Sequence, residues 1–338
     1  MTLIESILSK EVQDYLEEKI PYLGKIDDVQ ALSGGRSNPN VLLIADRGKF
    51  VLRAQPSGTL LSKAHDMARE FKVLSALKDT SFPIPKVYFL CQDKSILGVD
   101  FYVMDYIEGD ISQSFYLPEL NNEQRRSTYI RMVEVLADLH ELDTNKLGLT
   151  NYGREGSYYQ RQYHRWQKAF EASGHPEVDA FTELSNWLGT HLPEKEDRVL
   201  VHGDYRLDNI VFNPDTREIN AVLDWELSTL GDSLSDLGYL LGILDAPKDF
   251  IFSGFGNVDR SSFGIPEEYE LLEIYCERRG IESIENWPFY KSFGFFRLAS
   301  ICAGIHGRVA QGNAVDPQSA VFAKMVKPLC EIGCAIII

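Results

Sequence analysis

The most constraining feature of this chain is one strand-turn-strand stretch with polar motifs at both of its ends. His202-Gly203-Asp204-Tyr205-Arg206-Leu207-Asp208-Asn209 runs into Ile210-Val211-Phe212, Asn213-Pro214-Asp215-Thr216 makes a turn, and Ile219 to Leu223 leads back to Asp224-Trp225. Asn, Pro and Asp favour a tight reversal, because Pro presets φ and Asx side chains bond to the backbone two residues on. An antiparallel pair returns the chain to its starting edge, so Asn209 and Asp224 are expected to meet at the open end of the hairpin.

That juxtaposition suits phosphoryl transfer from ATP. The reaction needs a metal to neutralise the phosphates, a cradle for the nucleotide and a carboxylate that orients an acceptor hydroxyl and takes its proton. The spacing Asp-x-x-x-x-Asn from Asp204 to Asn209 fits a loop whose carboxylate faces the acceptor while the amide oxygen faces the metal. Asp204 is the candidate catalytic base, and Asn209 and Asp224 are the candidate Mg2+ ligands. Taken singly, each Asp also reads as a turn cap; the combination points to chemistry.

The texture of the chain changes near residue 107. Before it, strands are expected over Val29 to Ser33, Asn40 to Ala45, Phe50 to Arg53, Lys86 to Cys91 and Phe101 to Tyr106, with helices over Ile4 to Ile20 and His65 to Leu77. This predicts a small antiparallel five-stranded N-terminal lobe over 1–106, followed by a hinge at Ile107-Glu108-Gly109-Asp110. Beyond it, helical patterns over 122–142, 159–172, 178–190, 232–243, 266–279, 288–310 and 317–334 predict a larger, mainly helical C-terminal lobe over 107–338. The fold class is α+β.

A formal charge of −16, from 34 basic and 50 acidic residues, argues against a nucleic-acid binder, whose affinity rests on basic groups that displace counterions. No apolar run reaches the roughly 18 residues that span a bilayer, and the first residues lack the pattern of a signal peptide, so a cytoplasmic protein without membrane partners is expected. Cys91, Cys276, Cys302, Cys330 and Cys334 form no CxxC pair and read as buried free thiols.

Ser33-Gly34-Gly35-Arg36-Ser37-Asn38 lies between two expected strands, where the backbone N–H groups of Gly34, Gly35 and Ser37 could approach nucleotide phosphates. An ordinary glycine turn is the alternative, and the Walker spacing is missing.

The segments His202 to Asn209 and Val222-Leu223-Asp224-Trp225-Glu226 resemble the catalytic and metal-binding motifs of the aminoglycoside phosphotransferase and choline kinase-like group. The resemblance implies a bilobal protein kinase-like fold and an ATP- and Mg2+-dependent kinase with an alcohol acceptor. Asp204 would be its base, with Asn209 and Asp224 on the metal and His202 supporting the loop. Kinases of this fold place a Lys on the third strand against the α- and β-phosphates of the nucleotide, paired with a Glu on the next helix, so the resemblance implies that both positions belong to the nucleotide site. Here that strand carries Arg53, with Glu70 as the expected partner; Arg keeps the charge but differs from Lys in reach. Met104 and Tyr106, at the end of the fifth strand, are expected at the adenine edge. Asp232 and Asp236 match the acidic pair after the metal motif and are assigned to structure, the first as a helix cap and the second as an anchor for the catalytic loop.

The acceptor is sought between Tyr152 and Trp166, where Arg154, Tyr159, Arg161 and Arg165 combine aromatic faces with guanidinium groups, and where Arg297, His306 and Arg308 of a later helix could join. Such a set suits an anionic, partly flat ligand better than a polycationic aminoglycoside. A core aromatic cluster with solvated Arg tips is the alternative. Together with Val51-Leu52-Arg53, Leu60 to His65 and Phe101 to Met104, this stretch resembles the kinase-type domain associated with certain acyl-CoA dehydrogenases. That implies a 4-hydroxyacyl-CoA or related hydroxy acid as acceptor and a separate acyl-CoA dehydrogenase as partner. The competing readings are a kinase for an amino alcohol, sugar or aminoglycoside, and a nucleotide-binding pseudokinase that regulates a partner, which only Arg53 favours.

Overall fold

The computed structural model describes the chain except for residues 1–2, 33–37, 57–64, 249, 251–253, 257, 311–320 and 323. From the N-terminus come α1 (Leu3–Ile7), α2 (Lys10–Lys19), β1 (Ile26–Ala31), β2 (Asn40–Ala45), β3 (Gly48–Ala54), α3 (Met67–Leu77), β4 (Val87–Cys91), α4 (Lys94–Leu97) and β5 (Phe101–Asp105). The one helix expected over Ile4 to Ile20 is two. Ser9 leaves helical geometry (φ −65°, ψ 141°), and its hydroxyl accepts from the Val12 N–H to cap the second.

The strands pair antiparallel in the order β1-β2-β3-β5-β4. β3 lies inside the sheet, and Phe50, Val51, Leu52, Arg53 and Ala54 are all buried. α1 and α2 supply Ile7, Val12 and Leu16, and the C-cap residue of α2 supplies Ile20, to a core shared with Leu43, Phe50, Leu52, Phe101 and Val103. Asp66 caps α3 by accepting from the Arg69 N–H, and that helix buries Met67, Glu70, Val73, Leu74 and Leu77.

Further along come α5 (Asn122–His140), α6 (Tyr158–Ala172), α7 (Asp179–Thr190), β6 (Val199–Val201), β7 (Ile210–Phe212), β8 (Ile219–Val222), β9 (Thr229–Gly231), α8 (Leu234–Leu244), α9 (Glu268–Arg279), α10 (Trp287–Ala310) and α11 (Val326–Ile337). β7 and β8 form the expected hairpin, with Ile210 opposite Val222. β6 and β9 pair as well, Val199 opposite Gly231. These three-residue strands are too short to show a period, so the sequence does not announce them.

The chain divides into two compact units, one of residues 1–111, 147–149 and 209–228, the other of 112–146, 150–208 and 229–338. The hairpin therefore groups with the five-stranded sheet, although in chain order it lies among helices. In the second unit α10 packs against α6, α8 and α11, burying Phe289, Phe295, Phe296, Ala299 and Ala303.

Within the first unit, the stretch expected as a hinge is tied to β7. Asp110 donates its N–H to the Phe212 carbonyl at 2.8 Å, and Phe212 donates back to Asp110 at 2.9 Å. Gly109 permits this approach: its φ is +152°, and a Cβ there would lie 2.4 Å from the Phe212 oxygen. Urea denaturation should show Gly109→Ala to cost about 2–3 kcal/mol, since strain and a backbone clash combine. Gly98→Ala, with φ +75° but open space around it, should cost about 1 kcal/mol. Equal costs would show that the clash is relieved.

Candidate active site

In the first unit, the two expected metal ligands flank the mouth of the hairpin, where the Leu223 N–H donates to the Asn209 carbonyl at 2.8 Å. Asp224 then adopts the left-handed conformation (φ 64°, ψ 65°) and starts the short turn Trp225–Leu227. Asp tolerates that region better than most residues, because its short polar side chain can bond locally. The Trp225 ring packs edge-on against Phe82, and its Nε1 donates to the Val222 carbonyl at 2.9 Å.

Arg53 reaches this turn from β3. Its Nη2 lies 2.5 Å from Asp224 Oδ1 and 3.0 Å from Glu70 Oε1, while its Nε donates to Glu70 Oε2 at 3.1 Å. The pairing with Glu70 is the one expected. The contact with Asp224, 171 positions away, is not legible in the sequence. Burial raises the Glu70 carboxyl above its ordinary range, and the Arg53 guanidinium opposes that rise.

Gly34, Gly35 and Ser37 lie outside the described residues. Asn38, the next described residue, is fully buried and donates from Nδ2 to Glu226 Oε2 at 3.1 Å. Glu226 went unnoticed as an anchor because nothing in its local sequence names a partner. Met104 lies opposite Val51 and Val87 with little exposure, and the Tyr106 N–H donates to the Lys49 carbonyl at 3.1 Å.

Asn209 and Asp224 both offer oxygen, the donor Mg2+ selects, and Mg2+ takes few protein ligands when substrate phosphates complete its shell. Among the described residues, no three His, Cys, Asp or Glu side chains are grouped to hold a metal. A phosphate-completed Mg2+ site does not need such a group, so the residues fit.

In the second unit, Asp236 of α8 organises the loop that carries Asp204. Its Oδ2 accepts from the His202 N–H at 2.6 Å and its Oδ1 from the Gly203 N–H at 2.8 Å. Gly203 has φ +83°, and His202 Nδ1 accepts from the Asp204 N–H at 3.2 Å. The Tyr205 hydroxyl donates to the Met132 carbonyl at 2.9 Å. Asp232 accepts from the Leu234 N–H at 3.0 Å and from the Asp197 N–H at 2.9 Å, one position before Ser233, the N-cap of α8. Asp236 thus anchors the loop as expected, whereas Asp232, expected as the helix cap, binds the first N–H of α8 from outside it and ties it to Asp197.

The Asp204 carboxylate accepts from the Tyr239 hydroxyl at 2.9 Å through Oδ1, and its Oδ2 lies 3.4 Å from Arg206 Nε. Burial by itself would raise this carboxyl. The Arg206 and Arg297 charges and the Tyr239 hydroxyl outweigh it and hold the group below the ordinary carboxylate range. Asp204 is therefore ionised at neutral pH, as a proton acceptor must be. Arg297 of α10 donates from Nη2 to the Gly203 carbonyl at 2.5 Å, with its guanidinium 5.1 Å from the Tyr239 ring centre and 5.8 Å from that of Trp166. Tyr239 was missed because it sits in a helix that is apolar on nearly every side.

The acceptor candidates divide. Arg165 lies 4.6 Å over the Trp166 ring, and partial burial, then the neighbouring charges of Arg297 and Arg154, lower its pKa. Tyr159 corrects the expectation. It has no exposed surface, packs against Phe289, Tyr290 and Phe293, and directs its hydroxyl to Asp232, so it belongs to the core and is out of reach of a dissolved ligand. Arg161 spends Nη1 on the carbonyls of Glu155, Gly156 and Ser157, which fixes it to the turn before α6.

A model of the phosphotransferase enzyme family matches residues 28–275. The chain belongs to this family. Acyl-CoA dehydrogenase family member 11 of Rattus norvegicus is 40% identical over 330 residues, covering 96% of this chain and 42% of that protein. Acyl-CoA dehydrogenase family member 10 of Mus musculus is 40% identical over 301 residues, covering 88% of this chain and 28% of the relative. The phosphotransferase chain thus spans less than half the length of these relatives and matches their kinase-like region. A crystal structure from Ralstonia eutropha, whose protein carries a provisional aminoglycoside phosphotransferase name, is 34% identical with a TM-score of 0.88 over 97% of this chain and 98% of that one. A thermostable mutant of aminoglycoside phosphotransferase APH(4)-Ia, in ternary complex with AMP-PNP and hygromycin B, has a TM-score of 0.65 over 97% and 99% of the chains, at 15% identity, and shares the fold. A five-stranded antiparallel sheet followed by a mainly helical part is the protein kinase-like fold, as the two motifs led one to expect.

The Asp236 carboxyl supplies a pH test of the loop. Burial alone would raise it, but the His140 and His202 imidazoles and the Gly203 N–H hold it below its ordinary value. Its contribution to stability is therefore full above the unfolded carboxylate value, about 4, and is lost as pH falls through the lower folded value. Asp236→Asn should cost about 2–3 kcal/mol at pH 7. In denaturation curves taken at a series of pH values, the gap from wild type should close in acid; a gap independent of pH would mean that charge is not what holds the loop.

Proposed function

We propose that this phosphotransferase moves the γ-phosphoryl group of ATP to a hydroxyl of a small anionic molecule. The observation that carries this reading is the Asp204 side chain, held by Tyr239 on one oxygen, on a loop pinned by Asp236. Asp204 orients the acceptor hydroxyl and takes its proton as the oxygen attacks phosphorus and ADP leaves. Asn209 and Asp224 would hold Mg2+, which when bound neutralises phosphate charge. Gly34, Gly35 and Ser37, with the backbone near Met104 and Tyr106, are the proposed nucleotide contacts. In chain order, residues 1–106 form the nucleotide lobe of this proposal, and 107–338 carry catalysis and acceptor recognition.

The acceptor is argued from charge. Arg297 and Arg154 both lie near enough to Arg165 to lower its pKa; Arg297 also acts on the Asp204 carboxylate, whereas among the described residues Arg154 and Arg165 form no ion pair. In an acidic chain, guanidinium groups in excess of the nearby carboxylate, beside the Trp166 ring, favour an anion and disfavour a polycationic aminoglycoside. The acyl-CoA dehydrogenase names of the relatives support a hydroxyacyl-CoA, such as a 4-hydroxyacyl-CoA, and an acyl-CoA dehydrogenase as the partner acting on the product. Among the described residues, no helix is long and apolar enough to cross a membrane, and a cytoplasmic setting is part of the proposal.

ATP consumption with Mg2+ across 4-hydroxyacyl-CoAs, choline, sugars and aminoglycosides should show turnover with the acyl-CoAs, each gaining the mass of one phosphate. Asp204→Asn should lower kcat by about 10²- to 10⁴-fold with nucleotide binding retained. Equal turnover in the variant would remove Asp204 from the mechanism. Nucleotide binding without turnover of any hydroxyl compound would replace the enzyme with a nucleotide-binding regulator of a partner.

A further inference from the structure

Arg53 was expected to serve the nucleotide phosphates, yet its firmest contacts are two carboxylates. It is 5% exposed and Glu70 is 1% exposed, whereas the Asp224 side chain is 30% exposed. Glu70 thus depends on Arg53 for its counter-charge, while Asp224 still faces water. Nη2 serves both carboxylates, and Nε serves Glu70 alone. Only Oδ1 of Asp224 is engaged by this guanidinium, so a second oxygen remains for another cation.

The geometry points to Arg53 as a positioning residue for the metal carboxylate: it aims Asp224 and, by its charge, makes a divalent cation bind well only together with nucleotide phosphates. This rests on the reading of Asp224 as a metal ligand. A guanidinium 2.5 Å from a carboxylate oxygen neutralises much of what would attract a second cation. Arginine cannot relieve that conflict by releasing a proton, as a buried lysine can. Phosphates relieve it from outside, since their negative charge offsets both cations. Linkage then requires the nucleotide to raise metal affinity by the factor through which the metal raises nucleotide affinity.

The test is a titration of the full chain with Mn2+, following free Mn2+ by electron paramagnetic resonance without and with ADP. Wild type should bind Mn2+ weakly alone and more tightly with ADP. Arg53→Gln/Glu70→Gln, which removes the buried pair without stranding a charge, should bind Mn2+ alone about tenfold more tightly than wild type. Glu70→Gln, which leaves Arg53 to Asp224, should bind it more weakly, and this arm stands even where the double variant fails to fold. A merely structural role for Arg53 gives no gain of affinity. Thermal unfolding reports which variants are folded. Unchanged or weaker Mn2+ binding in a folded double variant, or unchanged binding in folded Glu70→Gln, would overturn the role of Arg53. Asp224→Asn separates the two claims: if it binds Mn2+ as wild type does, the metal-site reading itself is wrong.

Discussion

The guanidinium of Arg53 is buried beside two carboxylates, and a buried charge is tolerated only while it is paired and hydrogen-bonded. Breaking such a pair by removing one member typically costs about 3–5 kcal/mol. Much of the first unit is arranged around that requirement. β3 runs inside the sheet, which gives Arg53 a fixed origin. Asp66 caps α3 so that Glu70 falls in its first turn, and the left-handed Asp224 ends the hairpin where the guanidinium can reach it. An apolar strand, an amphipathic helix and a hairpin are thereby joined at one set of charges.

Asp236 plays the comparable part in the second unit. The loop that carries Asp204 does not satisfy its backbone N–H groups through regular pairing, and buried donors without partners are costly. One carboxylate accepts from two successive N–H groups, while Arg297 takes the Gly203 carbonyl. Asp204 then meets Tyr239, Arg206 and Arg297, a setting that keeps it charged despite burial. The net charge of the whole chain says little about such a place. An acidic protein carries here a local excess of positive charge, with Arg154 and Arg297 both near Arg165, which the net charge does not reveal.

Much of this was readable in advance, for identifiable reasons. The hairpin was legible because a turn signal separates two apolar runs, and β2 falls on Asn40–Ala45 as read. The pairing of Arg53 with Glu70 was legible through family resemblance. Tyr159 was misread because a tyrosine on an arginine-rich helix looks the same in sequence whether it faces solvent or core; packing against Phe289 and Phe293 makes it core. Tyr239 gave no signal, since an apolar helix announces burial and not the direction of one hydroxyl.

The sequence by itself determined the reaction class, because the motifs around Asp204, Asn209 and Asp224 combine residue types and spacing that few other chemistries need. It also determined the division into a strand-rich first part and a mainly helical second part, which follows from local periodicity, though not the three-residue strands β6 and β9. Tertiary structure decided which charges act on one another. Arg53 with Asp224, Arg297 with Gly203 and Tyr239 with Asp204 are contacts between segments far apart in the chain, and only packing can make such neighbours.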